Sequence, residues 1–478
     1  MPPGPAGWPV IGNILDMPSS HEWRTFAQWG ETWGDIISVN LLGKPLVILN
    51  SSHVADEMLD KKSLIYSGRP VFPVCGEVIG WNRILAFHQY GPRWREIRRL
   101  FSQTVGSHNS LAQLTDDLER EADGFLGRVM ANPTTLTQQV HRFTGASILK
   151  VTYGYTIEKE NDELLRIVDT AMEQFSLASA PGAYLADAFS ILTHVPPWFP
   201  GAGWKTTAQA WRKDLEKMCD IPYNFTKAQM RAGTASSSLV AINLEGDIDP
   251  QREAIIKDAA SSLYAGGADT SVSAIRSFFL AMMRFPEAQR KAQAEIDRVI
   301  GSDRLPTVAD REQLPYVRAL CWEVLRWQPI APLGIPHYLT QDDVHAGYFL
   351  PKGTVVIANI WKMLRDPKRY ARPQDFNPDR FVPGQGAEPE YDPRQVVFGF
   401  GRRVCPGSQL AEMSLFLICA VSLAAFDISK PIVDGKAVEP SMEYTTGTIS
   451  HPCEFQCSIK PRSAKVQALL SSSGDVRY

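Results

Sequence analysis

Ten residues near the C-terminal end, Phe398-Gly-Phe-Gly401-Arg-Arg403-Val-Cys405-Pro-Gly407, lead into an apolar stretch at 415–426 and constrain the chain more than any other segment. The apolar stretch predicts a buried core helix, because crossing a bilayer takes roughly 20 apolar residues. A cysteine just ahead of it sits at or beside a helix N-terminus, with Pro406 suited to the first turn. Unpaired N–H groups, the positive end of the helix dipole and a nearby arginine all favour a thiolate there. Glycines at 399, 401 and 407 leave room for a flat macrocycle to approach the backbone. The alternative is an inert buried cysteine, the expected state of Cys321 and Cys419. A dinucleotide-binding reading of Gly399 and Gly401 fails for want of a third glycine and of a strand-to-helix context.

Phe398, Gly401, Arg403, Cys405 and Gly407 together resemble the haem-binding signature of the cytochrome P-450 family at every fixed position. The resemblance implies a mainly α fold with small β-sheets, in which a large helical part and a smaller β-rich part enclose a buried haem. In that family the cysteine thiolate, here Cys405, is the axial ligand of the iron and favours O–O cleavage. Arg403 then corresponds to the arginine that pairs a haem propionate, and Gly401 to the glycine that lets the loop pass close to the ring. No Cys-x-x-Cys-His occurs, so the expected cofactor is haem b held without a covalent bond.

A second motif, Ala265-Gly-Gly267-Ala-Asp269-Thr270-Ser271, lies in a helical pattern where each glycine costs about 1 kcal/mol relative to alanine. The glycines thin the helix, and Thr270 is placed to hydrogen-bond back to the Gly266 carbonyl, opening a groove where a diatomic molecule fits. A glycine-softened core helix with a polar edge is the alternative. By the family resemblance, Asp269 and Thr270 are the acid and alcohol that deliver protons to bound dioxygen.

Glu323-x-x-Arg326 can pair on one helix face, as an exposed ion pair of little energetic weight or as part of a buried site. The resemblance favours the second reading, with Glu323, Arg326 and Arg380 forming the family's structural Glu-Arg-Arg network behind the cysteine loop. Trp94-Arg-Glu-Ile-Arg98 resembles the family's Trp-x-x-x-Arg, which meets a propionate. His337 falls where many members carry an arginine to a propionate; a histidine donor can fill the same role.

Around these motifs the pattern is mostly helical, with helices expected at 94–103, 110–130, 161–177, 206–232, 250–285 and 286–300. Strand signals occur at 36–41 and 46–50 around Gly43, at 347–359 and at 444–459. Residues 1–12 read as a proline-rich hinge, 13–462 as one haem domain, and 463–478 as a polar tail without fixed structure. No basic tract occurs: a net charge of -3 with both signs interleaved disfavours nucleic-acid partners. Seven cysteines without paired spacing fit a reducing compartment; Cys453 and Cys457 read as part of a strand, with metal binding the weaker alternative.

Tyr66-Ser-Gly-Arg69 and Gly76-Glu-Val-Ile-Gly-Trp81 look like those of fungal natural-product-tailoring members, which implies a lipophilic small-molecule substrate. Pocket segments are expected at 73–82, 263–268, 330–335 and 445–449. No flavin or nicotinamide motif occurs, so electrons are expected from NADPH through a separate reductase, steered by Arg93, Arg95, Arg99 and Arg402. The expected state is a monomer on the cytosolic face of the endoplasmic reticulum, anchored by a membrane helix that in the family precedes the hinge, with Trp198, Phe199 and Trp204 as further interfacial contacts. Two rivals on the same scaffold are an oxygen-independent isomerase or dehydratase and a non-catalytic haem sensor. The Asp269-Thr270 pair disfavours both.

Overall fold

Proline and short polar caps set the ends of the helices. The longer ones, in chain order, are α1 (Glu22–Trp33), α2 (Pro92–Val105), α3 (Thr115–Ala131), α4 (Leu136–Tyr153), α5 (Glu163–Ala178), α6 (Gly203–Ala232), α7 (Pro250–Ala268), α8 (Thr270–Arg284), α9 (Pro286–Val299), α10 (Pro315–Trp327), α11 (Ser408–Ala425) and α12 (Ala464–Ser473). Pro92, Pro250, Pro286 and Pro315 each sit in a first turn, where the missing N–H costs nothing. Asp162 and Asp249 accept from backbone N–H groups of the turns they start, satisfying donors that would otherwise be orphaned. The computed structural model describes residues 1–478 apart from 107, 160, 180–183, 189, 385–387 and 474–478.

The first hairpin forms as expected: β1 (Ile36–Leu41) pairs antiparallel with β2 (Lys44–Leu49). Later strands are β3 (His337–Tyr338), β4 (Asp343–His345), β5 (Tyr348–Leu350) and β6 (Val355–Ala358). The main sheet has the order β1-β2-β6-β3, with β6 parallel to β2 and antiparallel to β3. Pairing of His337 with Val356 carries the histidine from the sheet edge to the helical core. The N-terminal segment lies along this sheet: Ser38 donates through its backbone N–H to the Pro3 carbonyl at 2.9 Å and through its hydroxyl to the Pro2 carbonyl at 2.6 Å.

α11 is long and apolar enough by composition to cross a membrane, yet 78% of it is buried inside the protein. It packs against α3, α8, α9 and α10 and forms the floor of the core. The mainly α fold with small sheets is thus as the sequence implied.

Four expectations are corrected. The 110–130 helix is two, His108–Ala112 and α3. The 250–285 helix is broken at Asp269. Segment 444–459 gives only the Tyr444–Pro452 bridge before β8 (Ser458–Pro461), which pairs with β7 (Phe426–Ser429). The tail is not structureless: α12 buries Val466 and Leu470, four apart on one face, against α3. Its polar composition hid a two-residue apolar stripe.

Candidate active site

The cysteine loop is built from backbone hydrogen bonds. Cys405 N–H donates to the Phe398 carbonyl at 2.8 Å, closing the loop ahead of α11. The helix itself starts at Ser408, so Pro406 precedes the first turn rather than occupying it. Gly401 has φ +55°, and a Cβ there would lie 2.4 Å from the Leu59 carbonyl oxygen and 2.9 Å from Ser63 Cβ. The glycine is therefore required where the loop crosses segment 59–63, not for an approach to the cavity.

Cys405 is open only to a central cavity of about 370 Å³, which it lines together with Gly266, Gly267 and Thr270 from the opposite wall. Burial pushes the Cys405 thiol above its ordinary pKa, against a Gly407 backbone hydrogen bond and the Arg98 charge, both of which lower it. The expected bias toward thiolate is thus outweighed by burial in the protein alone; a coordinated metal cation reverses that balance, because a ligating thiol is deprotonated outright.

The cavity edge is cationic and lacks counter-charge. Arg69, Trp94, Arg98, His337 and Arg403 all line it. Arg69 is buried and donates to the carbonyls of Ala86, Ile335 and Pro336 at 2.7–2.8 Å. Arg98 donates to the Val404 carbonyl at 2.5 Å, and Arg403 to those of Ser67 and His88. Both guanidinium groups lie against the Trp94 ring, at 5.4 and 5.0 Å. None of the three arginines has a carboxylate partner among the described residues, and Arg403 Nη1 is buried with no partner. Burial lowers the pKa of Arg69 and, to about 10, that of Arg403; the neighbouring cation adds to the effect in each case. Burial and the Arg69 charge also hold His337 down to about 3, so the ring is neutral in the protein alone, with Nδ1 2.8 Å from the Tyr66 carbonyl. Such an edge calls for an anion. A macrocycle with two carboxylate arms, its metal facing Cys405, fits this donor set.

On the opposite wall, the Thr270 hydroxyl donates to the Gly266 carbonyl at 2.7 Å, as the sequence predicts. The helix is interrupted at Asp269, beside this bond. The two glycines differ in role. A Cβ on Gly267 would meet Ile148 Cδ1 at 2.6 Å, so it permits close packing of α4, while Gly266 faces open space above the cavity. The Asp269 carboxylate hydrogen-bonds His451 Nε2 at 3.2 Å.

The distal walls are apolar. Trp81, Phe87 and Phe175 form a cluster with ring centroids 4.7 and 5.7 Å apart, joined by Ile84, Leu263, Ile330, Ile335 and Ile449. The hydroxyls of Thr144, Ser147 and Ser262 are already spent on backbone carbonyls at 2.6–2.9 Å. All four expected pocket segments contribute, though 73–82 does so only through Trp81.

Behind the loop, the buried Glu323 carboxylate accepts from Arg326 Nε and Nη2 at 2.6 and 2.8 Å, from Arg380 Nε at 3.2 Å and from the Asn377 N–H at 2.7 Å. Glu323 and Arg326 are 0% exposed. The buried reading of this trio is the one the structure bears out, and none of the three lines the cavity. Of the four basic residues expected to face a reductase, Arg93 pairs with Asp258 and Arg99 with Glu96, whereas Arg95 and Arg402 are exposed beside Tyr90. Cys453 and Cys457 are free, and no group of three or more potential metal ligands among the described His, Cys, Asp and Glu residues accompanies them.

Two site residues escaped the sequence reading. Arg69 lay in a segment noted only for its style, and His451 joins Asp269 across 182 residues with no local pattern.

Comparison with known proteins agrees with this geometry. The sequence model of the family described as Cytochrome P-450 matches residues 2–457. The chain is 57% identical over 477 residues to Cytochrome P-450 monooxygenase 208 of Postia placenta, covering 100% of this chain and 93% of the relative. It is 43% identical to Cytochrome P-450 monooxygenase claR of Ampulloclitocybe clavipes, covering 99% and 89%. Cytochrome P-450 monooxygenase ppsD of Aspergillus oryzae is 40% identical, with 99% and 91% covered.

Proposed function

The chain belongs to the cytochrome P-450 family and is a haem-dependent monooxygenase; on that premise we propose that it oxidises a lipophilic fungal secondary metabolite or xenobiotic, with haem b as cofactor and electrons from NADPH through a separate reductase. The observation that carries the reading is the cavity itself: a free cysteine faces Thr270 across it, cations without counter-charge rim it, and apolar side chains close the rest. When bound, the haem supplies the one-electron and oxygen chemistry.

The protein's own residues do the remainder. Cys405 would hold the metal, and Arg69, Arg98, Arg403 and His337 would hold the carboxylate arms, with two of the guanidinium groups lying against the Trp94 ring. The aromatic and aliphatic walls exclude water and bind substrate by burial of apolar surface. Since the Thr144, Ser147 and Ser262 hydroxyls already donate to backbone carbonyls and most of the wall is apolar, a polar substrate group gains little there, which favours a lipophilic skeleton. Thr270 lines the cavity with its hydroxyl bonded to the Gly266 carbonyl, and Asp269 is its neighbour in the chain; on this reading protons are held and moved at Thr270 Oγ1.

Exposed Arg95 and Arg402 supply the charge for an acidic reductase surface. Exposed Trp198 and Phe199, at 81 and 51%, with Ile191 at 76%, supply an interfacial patch for the cytosolic face of the endoplasmic reticulum membrane, whereas Trp204, expected with them, packs against Tyr184 and the core. The deciding experiment is a spectral binding screen over terpenoids, fatty acids and indoles, followed by turnover with NADPH and a fungal reductase. Incorporation of one atom of labelled dioxygen into the product supports the proposal; conversion without dioxygen or NADPH overturns it in favour of an isomerase or dehydratase.

A further inference from the structure

Asp269 is not alone on the outer side of its helix. Its carboxylate has one hydrogen-bond partner among the described residues, His451 Nε2 at 3.2 Å, and the two side chains are 15 and 20% exposed. Both groups therefore reach solvent, the imidazole slightly more than the carboxylate it bonds. Its backbone is fixed on both sides. His451 N–H donates to Thr445 Oγ1 at 3.0 Å and its carbonyl accepts from Thr445 N–H at 2.8 Å. The preceding Ser450 accepts at its carbonyl from Ser273 Oγ at 2.6 Å and donates its N–H to the Ile330 carbonyl at 2.8 Å. Ser273 is one turn beyond Asp269, so the same face of α8 that carries the acid also anchors the loop that brings the histidine.

We infer that His451 is the outer positioning residue of the proton path, holding the Asp269 carboxylate in place and replenishing it from solvent. This rests on the reading of Asp269 and Thr270 as the proton relay. In the step, water supplies a proton to ring Nδ1, the Nε2–H bond breaks, and that proton forms an O–H bond at Asp269 Oδ2; no electron changes hands. Deprotonation of Nδ1 and reprotonation of Nε2 by solvent reset the ring. Other charged groups face this corner. His141, 3.1 Å from Asp169, approaches from α4, and Arg276 of α8 pairs with Glu454 at 2.9 Å. Each of these has its own hydrogen-bonded partner, while the Asp269 charge also acts on His141 without a hydrogen bond to it.

The test uses the haem-loaded, full-length chain with His451→Gln, His451→Leu and Asp269→Asn. In 15N-histidine-labelled protein, held diamagnetic as the reduced carbon monoxide complex, the signal lost in His451→Gln identifies this ring. The inference expects that signal to move in Asp269→Asn; an unmoved signal means the pair does not exist in solution and overturns it. Turnover with 7-ethoxycoumarin then reads function. His451→Leu and His451→Gln should both lower product per NADPH by about threefold or more and flatten its dependence on pH, since neither side chain exchanges protons. Coupling that falls in Asp269→Asn but stays at the native level in both His451 variants overturns this inference and leaves the relay intact. Native coupling in Asp269→Asn removes the relay reading and this inference with it.

Discussion

The Thr270 hydroxyl donates to the Gly266 carbonyl at 2.7 Å, and the helix that carries both is interrupted at the residue between its two halves, Asp269. A threonine bonded back to a carbonyl one turn earlier beside a cavity has its alcohol fixed at the cavity wall. Thr270→Ala should keep haem content and substrate binding while product per NADPH falls and released hydrogen peroxide rises. Loss of a positioned acid–base group costs on the order of a hundredfold or more in a committed step, so the change in coupling should be plain. Native coupling in both Thr270→Ala and Asp269→Asn would exclude them from proton delivery.

Arg403 has a buried Nη1 with no partner and sits close to Arg98 and Arg69. Hydrogen bonds to charged groups are worth about 1.5–3 kcal/mol, or roughly 10- to 100-fold in an equilibrium. Arg403→Leu should therefore release haem to excess apomyoglobin at least about tenfold faster than the native protein. An unchanged release rate would show that the cationic edge does not hold the cofactor.

Glu323 pairs with two buried guanidinium groups at once and is the one carboxylate among the described residues that pairs with Arg326. Removing one partner of a buried ion pair costs about 3–5 kcal/mol, because the other charge is left uncompensated. Glu323→Ala should accumulate as unstable, largely haem-free protein. A fully loaded, stable Glu323→Ala with an altered product pattern would place the residue in the pocket instead.

His141 has a raised pKa: burial opposes its charge, but the Asp169 hydrogen bond and the Asp169 and Asp269 carboxylates outweigh it. A base whose folded pKa lies above its unfolded value, about 6.5, contributes stability that is fully present below that value and is lost as pH rises through the folded one. Thermal melts above neutrality should show this loss, and Asp169→Asn should reduce it. Identical pH slopes in native and Asp169→Asn protein would contradict the pairing.

The parts legible in the sequence were those whose function is written in consecutive residues. The cysteine loop, the Gly266 to Thr270 turn and the Glu323–Arg326 spacing each lie within one or two helical turns, so spacing brought the side chains together and the family resemblance supplied their roles. What failed depended on contacts between distant segments. Gly401 is demanded by Leu59 and Ser63, the tail helix by the surface of α3, and His451 by Asp269, none of which leaves a periodic trace. Arg69 was visible as a residue but not as a cation, since only the fold brings it beside Arg403 and His337 without a carboxylate.

All of this depends on the free cysteine at the cavity floor. The most direct measurement is the absorption spectrum of the reduced carbon monoxide complex of the native protein, Cys405→Ala and Cys405→His. The thiolate-type band should appear in the native protein and be absent from both variants. A thiolate-type band that persists in Cys405→Ala would contradict the assignment of Cys405 as the ligand.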